Sequence, residues 1–295
     1  NPKFLSGSRT KAKKLKKGIN HWAFPAGMPV KEVINLSVQY GFQGIELCPE
    51  EEGEISLYQG EEKWKEIRTL AEDKGIEIRS LATGLLWKYN LASPNTEVRK
   101  KAIDIAKRLI EIASILEAKS ILLIPGYVNV PWDPSSEVVP YEEAYENSRQ
   151  SISEIAKFAT DAKITLGLEN VWNKLFLSPI EFRSFIDGFN SQWVRVHFDT
   201  ANVLISGYPE QWIEILGKRI VTIHIKDFKL LVGNINGFCL PLEGDVNFPA
   251  VMGSLKSIGY DDFLIAEMIP PYHYSIDALL ANLSYNLDCI INMRV

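Results

Sequence analysis

Eight times between Lys17 and the C-terminal end, a short run of β-branched and apolar residues gives way to an amphipathic helical stretch. This alternation is the strongest constraint on the chain, because strand–helix–strand units form parallel sheets with right-handed crossovers. The strand candidates are residues 18–22, 44–48, 76–82, 120–125, 164–170, 194–199, 220–227 and 263–268. Helical segments begin near 28–30, 61, 95, 141, 178, 208, 247 and 275. Several of these starts have capping chemistry. Ser93-Pro94-Asn95-Thr96-Glu97 puts an acid in the first turn, and Ser178-Pro179-Ile180-Glu181 is a capping box with proline at the first helical position. Gly75, Gly167 and Gly259 are read as points where helices hand over to strands. Eight units favour closure into a (β/α)8 TIM barrel over an open sheet, and 295 residues suffice for one such domain. No linker rich in Gly, Pro and Ser divides the chain. Residues 17–295 therefore read as one barrel, preceded by a basic extension over 1–16. Two connections, 126–140 and 228–246, are long and fall after strands, where loops at a barrel mouth shape a pocket.

Charge is uneven along the chain. Residues 1–17 hold seven basic groups (Lys3, Arg9, Lys11, Lys13, Lys14, Lys16, Lys17) and no acid, so the whole-chain charge of −5 leaves −12 on residues 18–295. A body that acidic repels phosphate backbones, which argues against a nucleic-acid partner, and the basic run reads as a solvated extension. No apolar run approaches the ~20 residues that span a bilayer, so no membrane partner is expected. Cys48, Cys239 and Cys289 are odd in number, far apart and outside any CxxC pair. That pattern argues against a disulfide scaffold or zinc ribbon and fits a reduced, cytoplasmic setting. The sequence begins at Asn1 rather than Met, which is also compatible with a removed signal peptide.

Strand parity points to chemistry. In 164–169, Thr165, Gly167 and Glu169 share one face and the apolar residues the other. In 194–199 the polar face holds Arg195, His197 and Asp199; in 221–226 it holds Thr222, His224 and Lys226. Glu267 closes the last strand opposite Leu264 and Ala266. Side chains alternate along a strand, and the apolar face must pack on the outer helices, so the polar face points into the lumen. Four successive strands thus aim an ionisable group inward near their C-terminal ends, where active sites of such barrels lie. Buried carboxylates repel one another without a cation. Glu169, Asp199, His224 and Glu267 therefore read as ligands of one divalent metal. Three carboxylates and one imidazole favour Mn2+, followed by Mg2+, Co2+ and Zn2+. His197 lies one layer below Asp199, placed either to support a ligand or to contact substrate.

These residues carry a resemblance. Leu168-Glu169-Asn170, His197-Phe198-Asp199-Thr200-Ala201-Asn202, His224-Ile225-Lys226-Asp227 and Glu267 resemble the xylose-isomerase-like superfamily of sugar and sugar-phosphate isomerases and epimerases. Gly44-Ile45-Glu46-Leu47 and Glu243-Gly244-Asp245-Val246-Asn247-Phe248 extend the likeness over nearly the whole chain from Lys17. The nearest members look like 3-epimerases of ketoses and ketopentose phosphates, which implies a ketose or ketose phosphate as substrate and proton transfer through an enediolate. Carried over, Glu169 and Glu267 are the acid/base pair. Where tagatose-epimerase-like members have His three residues after the metal Asp, this chain has Asn202, a neutral amide that can hydrogen-bond a hydroxyl without titrating near neutrality. Lys226 and Lys229 are candidates for a substrate phosphate or hydroxyl, or else for a salt bridge with Asp227 or a solvated loop. Related barrels also assemble into dimers or tetramers, so a homo-oligomer is implied by the resemblance alone.

Aromatic residues cluster near strand ends, and aromatic faces pack on the C–H faces of sugars as well as in ordinary cores. Trp22 and Trp172 are candidates for the pocket wall, with Trp87 beside them and Trp132 a lid in the long loop. Either Asn20 or His21 faces the lumen, and His273, after the last strand, could reach the mouth but reads first as surface. Three other functions compete. A keto-polyol dehydratase would use the same proton abstraction. An abasic-site endonuclease shares the fold but needs more histidines than His21, His197, His224 and His273. A non-catalytic sugar-binding protein would not need four intact ligands.

Overall fold

Residues 15–269 and 272–294 are described by the computed structural model. Residues 1–14 of the basic extension lie outside the described residues. Lys16, assigned to that extension from sequence, is already the first residue of a strand. Eight parallel strands close the barrel: β1 (Lys16–Asn20), β2 (Gly44–Leu47), β3 (Glu77–Leu81), β4 (Ser120–Leu123), β5 (Thr165–Glu169), β6 (Val194–Asp199), β7 (Ile220–Ile225) and β10 (Phe263–Ala266). Each strand pairs with its sequence neighbours and β10 closes on β1, with Gly18 opposite Ile265. The expected (β/α)8 barrel is thus the observed architecture.

The outer layer is α1 (Val30–Gln39), α2 (Glu61–Lys74), α4 (Thr96–Ile115), α5 (Tyr141–Ala162), α6 (Pro179–Asp187), α7 (Pro209–Leu216), α8 (Phe248–Ile258) and α9 (Ile276–Ile291). Their starts agree with the sequence reading to about a residue because the caps are local. Asn95 accepts from the Glu97 amide at 2.9 Å, and Ser178 accepts from the Glu181 amide at 3.2 Å with Pro179 behind it. Gly75 and Gly259 end α2 and α8 in the left-handed region, where a side chain is disfavoured. Gly167 does not end a helix. It lies inside β5, where a Cβ would come within 3.0 Å of His197 Cβ; Lys163 takes the left-handed position after α5 instead.

Three local features depart from the sequence reading. The first strand stops at Asn20, whose side chain accepts the Trp22 amide at 2.7 Å and starts a 3-10 turn over His21–Ala23. The seventh stops at Ile225. Beyond it β8 (Asp227–Phe228) leaves the barrel and pairs antiparallel with β9 (Phe238–Cys239). A short helix, α3 (Leu85–Lys88), follows β3.

At the N-terminal end of the barrel Arg79 spans the lumen. It reaches Asp262 at 2.7 Å, the Ser120 hydroxyl at 3.2 Å and the Val221 carbonyl at 3.0 Å, so the bottom is sealed by satisfied polar groups. Beside it the Phe263 ring fills the space left by two glycines. A Cβ on Gly44 would lie 2.3 Å from a ring carbon, and one on Gly18 2.9 Å from Ile265. Gly44→Ala is therefore expected to overpack the closure of β1, β2 and β10 and to lower unfolding free energy by about 1–3 kcal/mol. A urea titration checks this: the midpoint drops with an unchanged slope, whereas an unmoved midpoint would mean the ring does not sit against β2.

Candidate metal and acid–base centre

The C-terminal end of the lumen gathers the groups that parity aimed inward. Glu169 ends β5, Asp199 ends β6, His224 is the fifth residue of β7, and Glu267 follows β10. All four are buried, and one donor atom from each lies within 4.8 Å of the others. His224 Nδ1 is 3.2 Å from Glu267 Oε2 and 3.7 Å from Glu169 Oε1. Asp199 Oδ1 accepts the Ala201 and Asn202 amides at 2.8 and 2.7 Å. Its other oxygen, Oδ2, closes no hydrogen bond, and neither does His224 Nδ1. A buried acceptor without a partner is costly, so two of them in one cluster with two more carboxylates fit a cation's ligand set. The mixed oxygen and nitrogen donors suit a divalent ion.

Sequence reasoning left out the residue that fixes His224. Glu46 on β2 is fully buried, and its Oε1 lies 2.7 Å from His224 Nε2. The same oxygen accepts from Asn20 Nδ2 at 2.7 Å, and Oε2 accepts from the Ser80 hydroxyl at 2.6 Å. Burial alone would raise the Glu46 pKa, but His224, His197 and Ser80 outweigh it and hold the acid down at about 2. The ionised carboxylate orients the imidazole so that Nδ1 faces the other three donors, the usual arrangement behind a metal-ligating histidine. Glu46, His197 and His224 also lie close enough to form a ligand group of their own. Both Glu46 oxygens already have donors, so it serves as a support. The signal in the sequence was a lone acid inside the apolar run Gly44–Leu47. Asn170, quoted only as part of a motif, latches β5 to β6: it donates to the Asp199 carbonyl at 2.9 Å and accepts the Asp199 amide at 3.0 Å.

The expected substrate residues divide. Asn202 is half-buried and donates to Glu169 at 3.4 Å and to the Asn170 carbonyl at 3.1 Å. Lys226 is buried, 3.0 Å from Glu267 Oε2 and 3.9 Å from Asp199 Oδ2, with its ammonium 4.4 Å from the centre of the Phe238 ring. It sits on the cavity floor and makes no salt bridge with Asp227. Asp227 instead accepts four backbone amides (Phe228, Leu242, Gly244, Val246) and so ties down the loop after β8. His197 is fully buried beneath the centre with its ring edge-on to His224 at 4.1 Å, so the alternative of substrate contact is corrected to a supporting position. Lys229 is also corrected. It is half exposed, 3.9 Å from Glu243, and is not among the residues that line the cavity.

Above the centre opens a cavity of about 1380 Å3 whose floor includes Glu169, Glu267, Lys226 and Asn202. Trp22, Trp87, Trp132 and Trp172 all line it, as does Phe238 from β9, which sequence reasoning missed because its placement depends on the hairpin. Asn20 faces the lumen, whereas His21 leaves it and lines the cavity; His273 is exposed at the same cavity.

The electrostatics of the centre are asymmetric. Burial, with Glu267 nearby, pushes Glu169 up to about 7, and burial pushes Asp199 up to about 6 against the pull of Lys226. Burial works against the charge on Glu267 too, but Lys226 and His224 outweigh it and hold it well below the usual range. His224 is raised by Glu46 and Glu267 despite burial, while burial keeps His197 neutral, at about 3. In the metal-free fold Glu169 and Asp199 bind protons more tightly than in the unfolded chain, so their contribution to stability declines as pH rises through their folded values. The raised His224 has the same sign above its unfolded value of 6.5. His197 and His21, kept neutral by burial, have the opposite sign below their unfolded value of 6.5 and offset the two carboxyls there. Chelator-treated protein is thus expected to melt at progressively lower temperature from about pH 6.5 to 8, and Mn2+ to stabilise it more at the upper end, because ligands must lose protons to bind. Melting curves with and without Mn2+ check this. A metal-free melting point that climbs through that window, with a pH-independent Mn2+ effect, would contradict it.

Comparison with known proteins places this geometry. The model of the family described as xylose isomerase-like TIM barrel matches residues 34–283. Over 184 residues the sequence is 30% identical to the uncharacterized protein MJ1311 of Methanocaldococcus jannaschii, covering 60% of each chain and so less than two thirds of that relative. It is 25% identical over 268 residues to the L-ribulose-5-phosphate 3-epimerase UlaE of Shigella flexneri serotype 5b, covering 87% of this chain and 88% of the relative. The solved structure of an L-ribulose 3-epimerase superposes with a TM-score of 0.76 at 18% identity, over 94% of each chain, a likeness of fold. With the family match spanning most of its length, the chain belongs to the xylose isomerase-like TIM barrel family.

Proposed function

We propose that the chain is a divalent-metal-dependent epimerase or isomerase of a ketose or ketose phosphate, with Glu169 and Glu267 as its acid/base pair. The observation that carries this reading is the convergence of two buried carboxylates, from β5 and the end of β10, on a cluster whose remaining donors, Asp199 Oδ2 and His224 Nδ1, have no partner. The relatives named as 3-epimerases of ribulose and its phosphate support the same class. Glu169, Asp199, His224 and Glu267 would hold the ion, and Mn2+ suits the donor set best. Bound there, a divalent ion stabilises negative charge developing on substrate oxygens next to the reacting carbon.

The rest is done by the chain. One of the two glutamates removes the proton from the carbon beside the carbonyl, and the other returns a proton to it from the opposite side. In the metal-free fold Lys226 holds Glu267 ionised while burial pushes Glu169 up, so Glu169 is the carboxyl that more readily carries a proton there. Asn202 steadies Glu169, and the tryptophans wall the cavity above both glutamates.

In D2O, Mn2+-loaded protein is expected to place one deuterium on the carbon next to the carbonyl of its substrate, checked by NMR across a panel of ketoses and ketose phosphates. Glu169→Gln and Glu267→Gln should each slow that exchange by about 10²–10⁴-fold while the melting curve keeps its shape. No exchange with any member of the panel, or full exchange in both variants, contradicts the proposal. A rise in enone-like absorbance on turnover would assign the same proton abstraction to a dehydratase.

A further inference from the structure

Resting on that reading of the site, we propose a narrower substrate class: an uncharged sugar that carries a ketone and is joined to an apolar or aromatic group, rather than a sugar phosphate. Three features of the cavity lead there. The first is size. About 1380 Å3 exceeds the roughly 300–1,000 Å3 of an ordinary small-molecule pocket, and a free ketose on the floor would leave most of it to water.

The second is the wall. Polar chemistry is concentrated on the floor, at Glu169, Glu267, Lys226 and Asn202. Away from it, apart from Glu50, Glu52, Glu54, Asn236 and two histidines, the lining is aromatic, aliphatic or backbone. Trp87 meets Trp132 edge-on at 4.9 Å, Trp172 meets Phe238 at 5.1 Å, and Met268 and Tyr272 add to the lining. Of the lining residues, Trp132, Ile235 and Ile269 are each 41% exposed and Tyr274 88%. Contiguous apolar surface left open around a functional centre marks a ligand groove, and a monosaccharide alone would not cover it.

The third is charge. Phosphate is bound by Arg or Lys, or by free backbone amides at a helix start. Among the described residues that line this cavity, Lys226 is the sole lysine or arginine, and its ammonium is engaged with Glu267 at 3.0 Å. Three carboxylates, Glu50, Glu52 and Glu54, line the same cavity, and the Gly84 amide ahead of α3 is already taken by Glu50 at 2.9 Å. A phosphate dianion would meet like charge where it needs donors. Lys174, an exposed side chain, lines a separate, smaller cavity of about 410 Å3 that shares Trp132 and Trp172 with the first.

Binding decides the matter without relying on turnover. Tryptophan fluorescence titrations of Mn2+-loaded protein would compare glucose, galactose, mannose and fructose, the 6-phosphates of the same sugars, and phenyl and octyl glycosides of the aldoses. At least one phenyl or octyl glycoside is expected to bind about tenfold or more tightly than its parent sugar, the phosphates no more tightly than the parents. Trp132→Ala should narrow the glycoside advantage severalfold, and a Glu52→Lys/Glu54→Lys double variant should gain salt-sensitive affinity for the phosphates. Phosphates that outbind their parents tenfold in the unaltered protein, or glycosides that gain nothing, overturn the inference. The two readings fail separately: deuterium exchange confined to phosphates would sink this one and leave the epimerase standing, whereas tight glycoside binding with no exchange on any sugar would do the reverse.

Discussion

Burying carboxylates together is the constraint on which the rest of this molecule depends. Glu46, Glu169, Asp199 and Glu267 stand in a lumen from which bulk water is largely excluded, facing one ammonium, Lys226, and two imidazoles, His224 and His197. Unpaired charge in such surroundings is either neutralised by a proton or met by a cation. Glu46 and Glu267 have local partners that keep them ionised, while Glu169 and Asp199 do not and are pushed upward. The imbalance sits where the strands end and the cavity opens, so it is available to a ligand and is not simply a cost to folding.

The surrounding polar groups make sense as answers to that imbalance. Glu46 fixes the ring of His224, Asn170 locks Asp199 to β5 through a pair of amide hydrogen bonds, and the Ala201 and Asn202 amides occupy one Asp199 oxygen so that the other is left facing inward. Gly167 makes room for His197, and His197 in turn packs beneath His224. Lower still, Arg79 closes the barrel with its own set of partners. Each layer holds the one above it in place, which is how a site built on rigid strands keeps its geometry.

What was legible in the sequence follows from which features are local or periodic. The alternation in β5, β6 and β7 put Glu169, Asp199 and His224 on the lumen face, and caps such as Asn95 and Ser178 set helix starts, because neither depends on distant contacts. Glu46, quoted only within the motif Gly44–Leu47, was given no role because β2 has a single polar residue and thus no alternation to read. Lys229 and Phe238 were misjudged or missed because the β8–β9 hairpin sets them, and that hairpin is organised by Asp227 reaching amides up to nineteen residues away. The last turn of β1 was lost to the Asn20 side chain, which ends the strand by accepting the Trp22 amide. Trp22, Trp87, Trp132 and Trp172 were all visible as aromatics near strand ends, but that they share one wall is a tertiary fact.

The central claim is that Glu169, Asp199, His224 and Glu267 form one site for a divalent cation. Its most direct measurement is calorimetric titration of chelator-treated protein with Mn2+, alongside an Asp199→Asn variant whose folding is verified by circular dichroism. The account predicts one ion per chain for the unaltered protein and loss of most of that affinity in the variant. A folded protein that takes up no Mn2+, Mg2+, Co2+ or Zn2+, or a variant that binds as well as its parent, would contradict it.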